Sequence, residues 1–357
     1  MTISRREWLL AGSAFMAASV MGANEAMAQG LRPLKFGVGL KAMGPAVINT
    51  VIGEILGYNK QEGFTIAPEA LGTNGNVQVA IDKGDVDIGI GVPSFGLPLL
   101  AKGQWQGALN FYEYTYPYKW DVAVLPDSTI KTYADLKGKR IGVSGFGSTE
   151  YPVTQRVLKS MGIDPKTDVT WTAVGDGIQA GIALQRGLVD ALAYYDTGFG
   201  QIEAGKIKMR FLTRPDDVPM IGGQFLTTRK AFLEKERKLC VGFGRSVAKA
   251  SVFMAANPQA GASAFLKQYP ETAPRGSSAE AAVQAVLFAI SRRIKLYTPP
   301  YPNTPMGQIN PKEFSVEAEG YGFKIADYSN FYTNDLIAEI NQFDADQVKA
   351  AAKAYPG

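Results

Sequence analysis

The feature that most constrains this chain is a sequence pattern that occurs twice. A strand-like segment opens at Lys35, and a turn of the form basic-Gly-x-Val-Asp follows at residues 83–87. The same order recurs from Arg140, with its turn at residues 186–190. In each unit the pattern predicts a strand, a loop, a helix, a second strand and a second helix. The turn then leads into a third strand. The sequence therefore predicts an α/β fold of two doubly wound lobes joined by a hinge, with a cleft between them.

Two segments predict where the chain passes between the lobes. Pro117 breaks an alternating stretch and indicates the first passage, within residues 112–126. Gly222 and Gly223 permit a sharp change of backbone direction and indicate the return, within residues 211–228. The expected domains are a signal peptide at 1–28, lobe 1 at 29–118 and 223–357, and lobe 2 at 119–222. Helices are expected near the C-terminus, the last two returning to lobe 1, at 243–256, 279–290, 333–342 and 344–354.

The first 28 residues are typical of a signal peptide. Arg5 and Arg6 precede a short apolar run, and the run is followed by a small-residue cleavage site that ends at Ala28. The paired arginines are typical of a twin-arginine signal, although Trp8 and Leu10 depart from its usual residues and leave the general secretory route open. The apolar run is shorter than the roughly 20 residues that span a bilayer. We expect cleavage near Ala28 and a mature protein outside the cytoplasm.

Composition excludes several classes of chemistry. The chain has no histidine, which removes histidine-based triads and general bases and most zinc sites. Cys240 is the only cysteine, so no intramolecular disulfide is possible, and its apolar neighbours predict a buried side chain. The net charge is only +4, with basic residues scattered along the chain, so no nucleic-acid partner is expected. We expect no catalytic residues, no metal site and no cofactor, while carboxylate chemistry stays open.

A glycine pattern after the first strand is the one hint of a cofactor. Gly37 and Gly39 fit a loose dinucleotide-binding fingerprint. That fingerprint requires an acidic residue roughly 20 positions further on, at the end of the next strand. The nearest candidate, Glu69, lies too far along the chain. The pattern therefore does not predict a nucleotide site.

Four blocks, at residues 55–64, 83–94, 135–143 and 186–191, resemble those of a known family and occur in its order. They are similar to periplasmic substrate-binding proteins of ABC importers in the nitrate, sulfonate and taurine class (NMT1/THI5-like, type II periplasmic binding fold). The resemblance implies a periplasmic monomer that closes on a small molecule and delivers it to a membrane permease, without catalysis. Pyrimidine synthases of the same fold family use a reactive histidine, which this chain lacks.

The resemblance places the cleft at the loops that follow the parallel strands. Helices that start near Pro45 and Thr149 point free N–H groups at this crevice, which favours an anionic head group. Aromatic residues at every second position from Tyr112 to Trp120 predict one strand face, either an aromatic wall against a flat ligand or a face packed under helices. Asp196 is expected either to bind an amine or ring N–H or to cap the next helix. The expected ligand-binding residues are Met43, Gly44, Pro45, Asn74, Ser94, Tyr114, Tyr116, Gly147, Ser148, Thr149, Tyr195 and Asp196.

The expected ligand is a small organic molecule, with a sulfonate, carboxylate or related anion favoured and an aromatic one possible. One alternative is a pyrimidine precursor of thiamin or another heterocycle. A second alternative is an exported enzyme that uses Glu150, Asp176 and Asp196 as acids and bases. A third is a signalling module that presents the bound ligand to a membrane sensor.

Overall fold

The computed structural model describes residues 30–117, 120–214 and 222–356, and the predicted signal peptide and Tyr118 lie outside these ranges. The strands are β1 (Arg32–Val38), β2 (Phe64–Ala70), β3 (Ile88–Gly91), β4 (Ala108–Thr115), β5 (Trp120–Val124), β6 (Arg140–Val143), β7 (Thr170–Ala173), β8 (Ala191–Tyr195), β9 (Arg210–Phe211) and β10 (Gln224–Arg229). The α-helices are α1 (Ile48–Val51), α2 (Tyr58–Gln61), α3 (Asn74–Lys83), α4 (Pro93–Ala101), α5 (Glu150–Ser160), α6 (Ile178–Gln185), α7 (Asp196–Ala204), α8 (Lys230–Lys235), α9 (Arg237–Ala256), α10 (Pro258–Gln268), α11 (Ala279–Ile290), α12 (Pro311–Gly320), α13 (Ile337–Ile340) and α14 (Ala345–Ala354).

The described strands form two five-stranded mixed sheets of equivalent layout. The first has the order β2-β1-β3-β10-β4 and the second the order β7-β6-β8-β5-β9. In each, three parallel strands are followed by an antiparallel strand, which is β10 in the first sheet and β5 in the second. The repeated sequence pattern thus corresponds to two α/β lobes, and the predicted fold class is confirmed.

The passages between the sheets fall within the expected segments. The chain leaves the first sheet after Thr115 and enters the second at Trp120, and it returns between Phe211 and Gln224. Gly222 has a φ of 88°, a backbone conformation that glycine adopts without strain. The domain boundaries proposed after residues 118 and 222 are adjacent to residues outside the described ranges and stay predictions.

The aromatic run does not lie on one strand face, which corrects the expectation from its spacing. Tyr112 and Tyr114 belong to β4, whereas Trp120 opens β5 in the other sheet. Tyr116 follows the end of β4 and is almost fully buried. The passage between the lobes interrupts the alternation, because a two-residue repeat holds only while one strand continues.

The long helix α9 forms the centre of the first lobe's core. By length and composition it is apolar enough to cross a membrane, but 78% of its most apolar window is buried within the molecule. Its Phe243 ring meets that of Phe36 on β1 edge to face, with centroids 5.0 Å apart. Cys240 is fully buried on this helix, as its apolar neighbours predict. These contacts identify α9 as a core helix.

The C-terminal segment packs against both lobes. Helix α11 has the predicted bounds, but it packs on α7 beside the second sheet. At Gly200 the approach is so close that a Cβ atom would lie 2.5 Å from the Cα atom of Ala289. Helix α14 packs on α9, as expected for the tail. The helix expected at 333–342 is only the short α13, because Tyr332 forms a bridge with Asn110 on β4 instead.

Candidate ligand-binding site

Two contiguous cavities lie between the lobes, at the carboxyl ends of the parallel strands. The inner cavity has a volume of about 50 Å³ and the outer one about 200 Å³. Leu40, Ala46, Asp176 and Tyr195 line both, so we treat them as one interlobe cavity. A groove of about 500 Å³ between Tyr58, Arg245 and Val348 lies within the first lobe, and one of about 520 Å³ runs along α7 and α11, away from the strand ends. The interlobe cavity is therefore the candidate site, as in other open α/β sheets.

The first lobe supplies a mixture of apolar and amide groups to this cavity. Thr73 caps helix α3 by accepting a hydrogen bond from the Asn76 amide at 3.3 Å, and Asn74 is therefore the first residue of that helix, at the cavity. Tyr114, near the end of β4, donates its hydroxyl hydrogen to Gln224 Oε1 at 2.9 Å. That bond holds both side chains in the wall of the cavity.

The second lobe supplies hydroxyl, carboxyl and aromatic groups. Ser144 begins the loop after β6, Ser148 and Thr149 precede Glu150 at the start of α5, and Asp176 follows β7. Tyr195 ends β8, and its ring stacks on that of Tyr194 with centroids 4.5 Å apart. Trp120 completes an aromatic wall on this side. Hydrogen-bond acceptors and flat apolar ring surfaces therefore lie together at these strand ends.

The lobes contact each other directly around the cavity. Asn74 Nδ2 donates to Thr149 Oγ1 at 2.9 Å, so Thr149 contacts the other lobe and its side chain does not cap α5. The Gly75 amide approaches the Gly147 carbonyl at 3.5 Å. Across the outer edge, Lys41 Nζ and Asp176 are 3.7 Å apart. The structure therefore has the lobes closed over the cavity.

A buried ion pair joins the lobes at the base of the cavity. Arg293, just beyond α11, donates from Nε to Asp196 Oδ2 at 2.7 Å, and its Nη2 also bonds this carboxylate. Arg293 Nη1 donates to the Ala46 carbonyl at 2.9 Å. The two side chains are only 3% and 6% exposed. Burial by itself lowers the pKa of Arg293, but the charge of Asp196 and the hydrogen bonds between them raise this pKa above its ordinary value, so Arg293 is charged.

Glu150 is the second buried carboxyl at the site and has a different environment. It is 2% exposed, and its Oε1 accepts hydrogen bonds from Ser144, from the amide at 2.9 Å and from the hydroxyl. Burial raises the pKa of Glu150 to about 7, a rise that the bonds from Ser144 limit and the charge of Asp176 increases. The carboxyl is therefore close to half ionised at neutral pH.

Most of the residues expected from the sequence lie at this cavity. Asn74, Tyr114, Ser148 and Thr149 line the inner part, Met43, Gly44 and Pro45 line the outer part, and Tyr195 lines both.

Four of the expected residues do not line the cavity itself. Asp196 pairs with Arg293, Gly147 contacts Thr73 of the other lobe, and Ser94 is buried within α4. The Tyr116 hydroxyl donates to the Gln308 carbonyl at 3.3 Å and accepts from the Gly307 amide at 3.0 Å, away from the cavity.

Sequence reasoning missed Gln224 and Arg293, both in the part of the chain that returns from lobe 2. The adjacent Arg292 and Arg293 follow an apolar helix, but a local pattern does not show which one faces inward. The sequence predicts Asp176 in a cleft loop and, with Glu150, as an acid–base residue of an enzyme. Within the described ranges, no three His, Cys, Asp or Glu side chains are grouped so as to hold a metal.

Several solved structures share this fold at low sequence identity. A protein of Bordetella bronchiseptica RB50 is 21% identical with a TM-score of 0.66, covering 87% of this chain and 97% of that one. The alkanesulfonate-binding protein SsuA of Xanthomonas axonopodis pv. citri, bound to MOPS, is 18% identical with a TM-score of 0.59, covering 86% and 97%. The nitrate-binding protein NrtA of Synechocystis PCC 6803 is 12% identical with a TM-score of 0.56, covering 91% and 97%.

One curated relative matches only locally. An ATP phosphoribosyltransferase of Thermodesulfovibrio yellowstonii is 46% identical over 57 residues. The match covers 16% of this chain and 18% of that enzyme, so it spans less than a fifth of the relative's length. A segment of this size does not transfer an activity.

The match to a family model is much longer. The model described as NMT1/THI5 like matches residues 45–261, more than half of the 357-residue chain. The matched segment spans parts of both lobes and most of the loops around the cavity. The resemblance of the four sequence blocks is thereby confirmed, and the chain belongs to the NMT1/THI5-like family.

Proposed function

We propose that this protein is the solute-binding component of an ABC importer, which captures a small organic molecule in the interlobe cavity and delivers it to a membrane permease. The observation that carries the proposal is a closed cavity whose walls come from strand ends of both lobes. Such a cavity opens when the lobes separate, so binding and release follow from domain movement alone. The relatives that bind alkanesulfonate and nitrate support this role.

The proposed setting is the periplasm, where the protein acts as a monomer. The signal peptide predicted at residues 1–28 supports export, and cleavage near Ala28 is part of this proposal. The described structure begins at Gly30, so the choice between the twin-arginine and general secretory routes remains a prediction.

Two ligand classes fit different parts of the cavity. The start of α5, with Ser148 and Thr149, supports the anionic head group that the sequence favours. The aromatic rings of Tyr114, Trp120 and Tyr195 support a flat, heterocyclic ligand. Both classes are within the proposal that the cavity binds a small organic solute.

Thermal melting against a panel of compounds tests the function. The purified protein is heated with sulfonates, taurine, nitrate, aromatic carboxylates and pyrimidines in turn. A ligand at about a thousand times its dissociation constant adds roughly 4 kcal/mol to the free energy of unfolding. This raises the Tm by on the order of 8–16 °C. A strain that lacks the protein but takes up the identified ligand normally would contradict the transport role.

A carboxylate-dependent enzyme is the second candidate, favoured by the pKa of about 7 at Glu150. A carboxyl that titrates near neutrality suits general acid–base catalysis. Incubating the identified ligand with the protein and analysing it by mass spectrometry separates the two. Recovery of unchanged ligand supports binding alone, whereas a product would support the enzyme.

A further inference from the structure

The charges that line the inner cavity are unequally compensated. Its charged lining residues are Glu150, Asp176 and Arg293. The guanidinium of Arg293 is bonded by Asp196, which offsets its charge. Asp176 is 38% exposed and has Lys41 3.7 Å away. Glu150 is therefore the buried charge that the surrounding protein compensates least.

The hydrogen bonds of Glu150, which lines the cavity, leave part of its acceptor capacity unused. The amide and hydroxyl of Ser144 both donate to Oε1. Among the described residues, the donors to this carboxyl are Ser144 and the backbone amide of Glu150 itself, and both bonds from Ser144 share Oε1. A carboxylate has about four lone-pair positions, so several remain for a ligand donor. An anion placed against this carboxylate would bring two buried negative charges together at high cost.

The aromatic groups of the same cavity favour the same kind of ligand. Tyr114, Trp120 and Tyr195 line the same cavity as the Glu150 carboxyl. Aromatic faces attract cations and flat groups. Resting on the proposed solute-binding function, we infer that the ligand is a neutral or cationic nitrogen compound with an N–H group, such as an amide, an amidine or a protonated heterocycle, which donates to Glu150.

The affinity for such a ligand should depend on pH, because Glu150 titrates near neutrality. The titratable and charged groups around Glu150 are Asp176 after β7, Tyr194 and Tyr195 on β8, and Arg293 across the cavity. Burial raises the pKa of both tyrosines above their ordinary value, so they stay neutral between about pH 6 and pH 8. Glu150, with a pKa of about 7, changes charge in this interval. A ligand that donates to the ionised form binds about tenfold more tightly at the upper pH than at the lower.

Three compounds of nearly the same shape provide the test: benzamidine, benzamide and benzoate. Isothermal titration calorimetry measures their binding to the purified protein at about pH 6 and pH 8. We expect benzamidine and benzamide to bind at least about tenfold more tightly than benzoate, and benzamidine to gain affinity as the pH rises. The Glu150→Gln variant should weaken benzamidine binding roughly 10- to 100-fold and abolish its pH dependence.

Glu317→Gln is the matched control. Like Glu150, Glu317 is almost fully buried, with 1% exposed, and burial raises its pKa to about 7. It does not line the cavity. This variant should keep the affinity for benzamidine and its pH dependence. Melting curves check that both variants fold, and the comparison of the three probes on the unaltered protein does not depend on any variant.

Several results would overturn the inference. Tighter binding of benzoate, or affinity for benzamidine that falls as the pH rises, would show that the site selects anions. Equal loss of benzamidine binding in both glutamate variants would show an indirect effect of stability. Failure of all three probes to bind would also refute it. In each case the proposed solute-binding function is judged separately, by the melting panel.

Discussion

Two buried carboxyls at the start of two helices in the second lobe have different roles. Asp196 is the first residue of α7 and Glu150 the first residue of α5, each close after a strand. Both are at most 5% exposed. Asp196 is bonded by Arg293 from the C-terminal segment, whereas the bonds that Glu150 makes among the described residues stay within its own lobe. The presence or absence of a cationic partner from the C-terminal segment therefore decides which acid forms a buried ion pair and which faces the cavity.

Removal of Arg293 should have the largest effect on stability. In Arg293→Met the carboxylate of Asp196 is left buried without a partner, so the free energy of unfolding should fall by about 3–5 kcal/mol. Urea denaturation at neutral pH measures this. The control is Arg292→Met, which removes the neighbouring pair with Glu203, where the arginine is 39% exposed. It should cost about 1 kcal/mol. Equal losses of stability in the two variants would show that the buried pair contributes no more than the exposed pair.

Glu150→Gln should change how stability depends on pH. The pKa of Glu150 in the folded protein is about 7, above the ordinary value of 4.5, so the folded state binds the proton more tightly. The stabilisation is fully present below the ordinary value and is lost as the pH rises through about 7. From about pH 5 to pH 8 the unaltered protein should lose on the order of 2–3 kcal/mol relative to the variant. Parallel stability profiles of the two proteins would contradict the buried, unpaired character of Glu150.

Gly200→Ala tests how the Asp196–Arg293 pair is positioned. The added Cβ would lie 2.5 Å from the Cα atom of Ala289, so α7 must move from α11, the helix that precedes Arg293. We expect a loss of about 1–3 kcal/mol in the free energy of unfolding. Gly145→Ala is the control, because the nearest atom to its Cβ would be 3.7 Å away. If chemical denaturation gives Gly200→Ala the same free energy of unfolding as the unaltered protein, the contact between α7 and α11 accommodates the added methyl group.

Ser144→Ala should have the smallest effect and acts on Glu150 alone. The variant removes a hydroxyl that donates to Glu150, at a cost of about 0.5–1.5 kcal/mol. Since this bond favours the ionised form, the pKa of Glu150 should rise further, and benzamidine binding should reach its half-maximal change at a higher pH. Calorimetric titrations across the pH range measure the shift. Ser148→Ala, which lines the same cavity, should leave that midpoint in place.

Sequence reasoning succeeded where short-range patterns carry the information. The repeated units predicted both sheets, because alternation and turn residues depend on neighbours along the chain. Loops after the parallel strands had to meet at one edge, which placed Asn74, Ser148 and Tyr195 near the cavity. The two-residue spacing of the aromatic run assigned Tyr116 to the site, but its hydroxyl bonds the distant segment at Gly307. A spacing rule does not show where a strand stops.

The sequence by itself determined the two α/β lobes, the absence of histidine and about a third of the residues that line the cavity. Only the tertiary structure decided that Arg293 neutralises Asp196 and that Glu150 is left to face the cavity. The pair joins residues that are 97 positions apart. Charge compensation acts over a few ångströms in space, so it depends on which segments the fold brings together and not on their order along the chain.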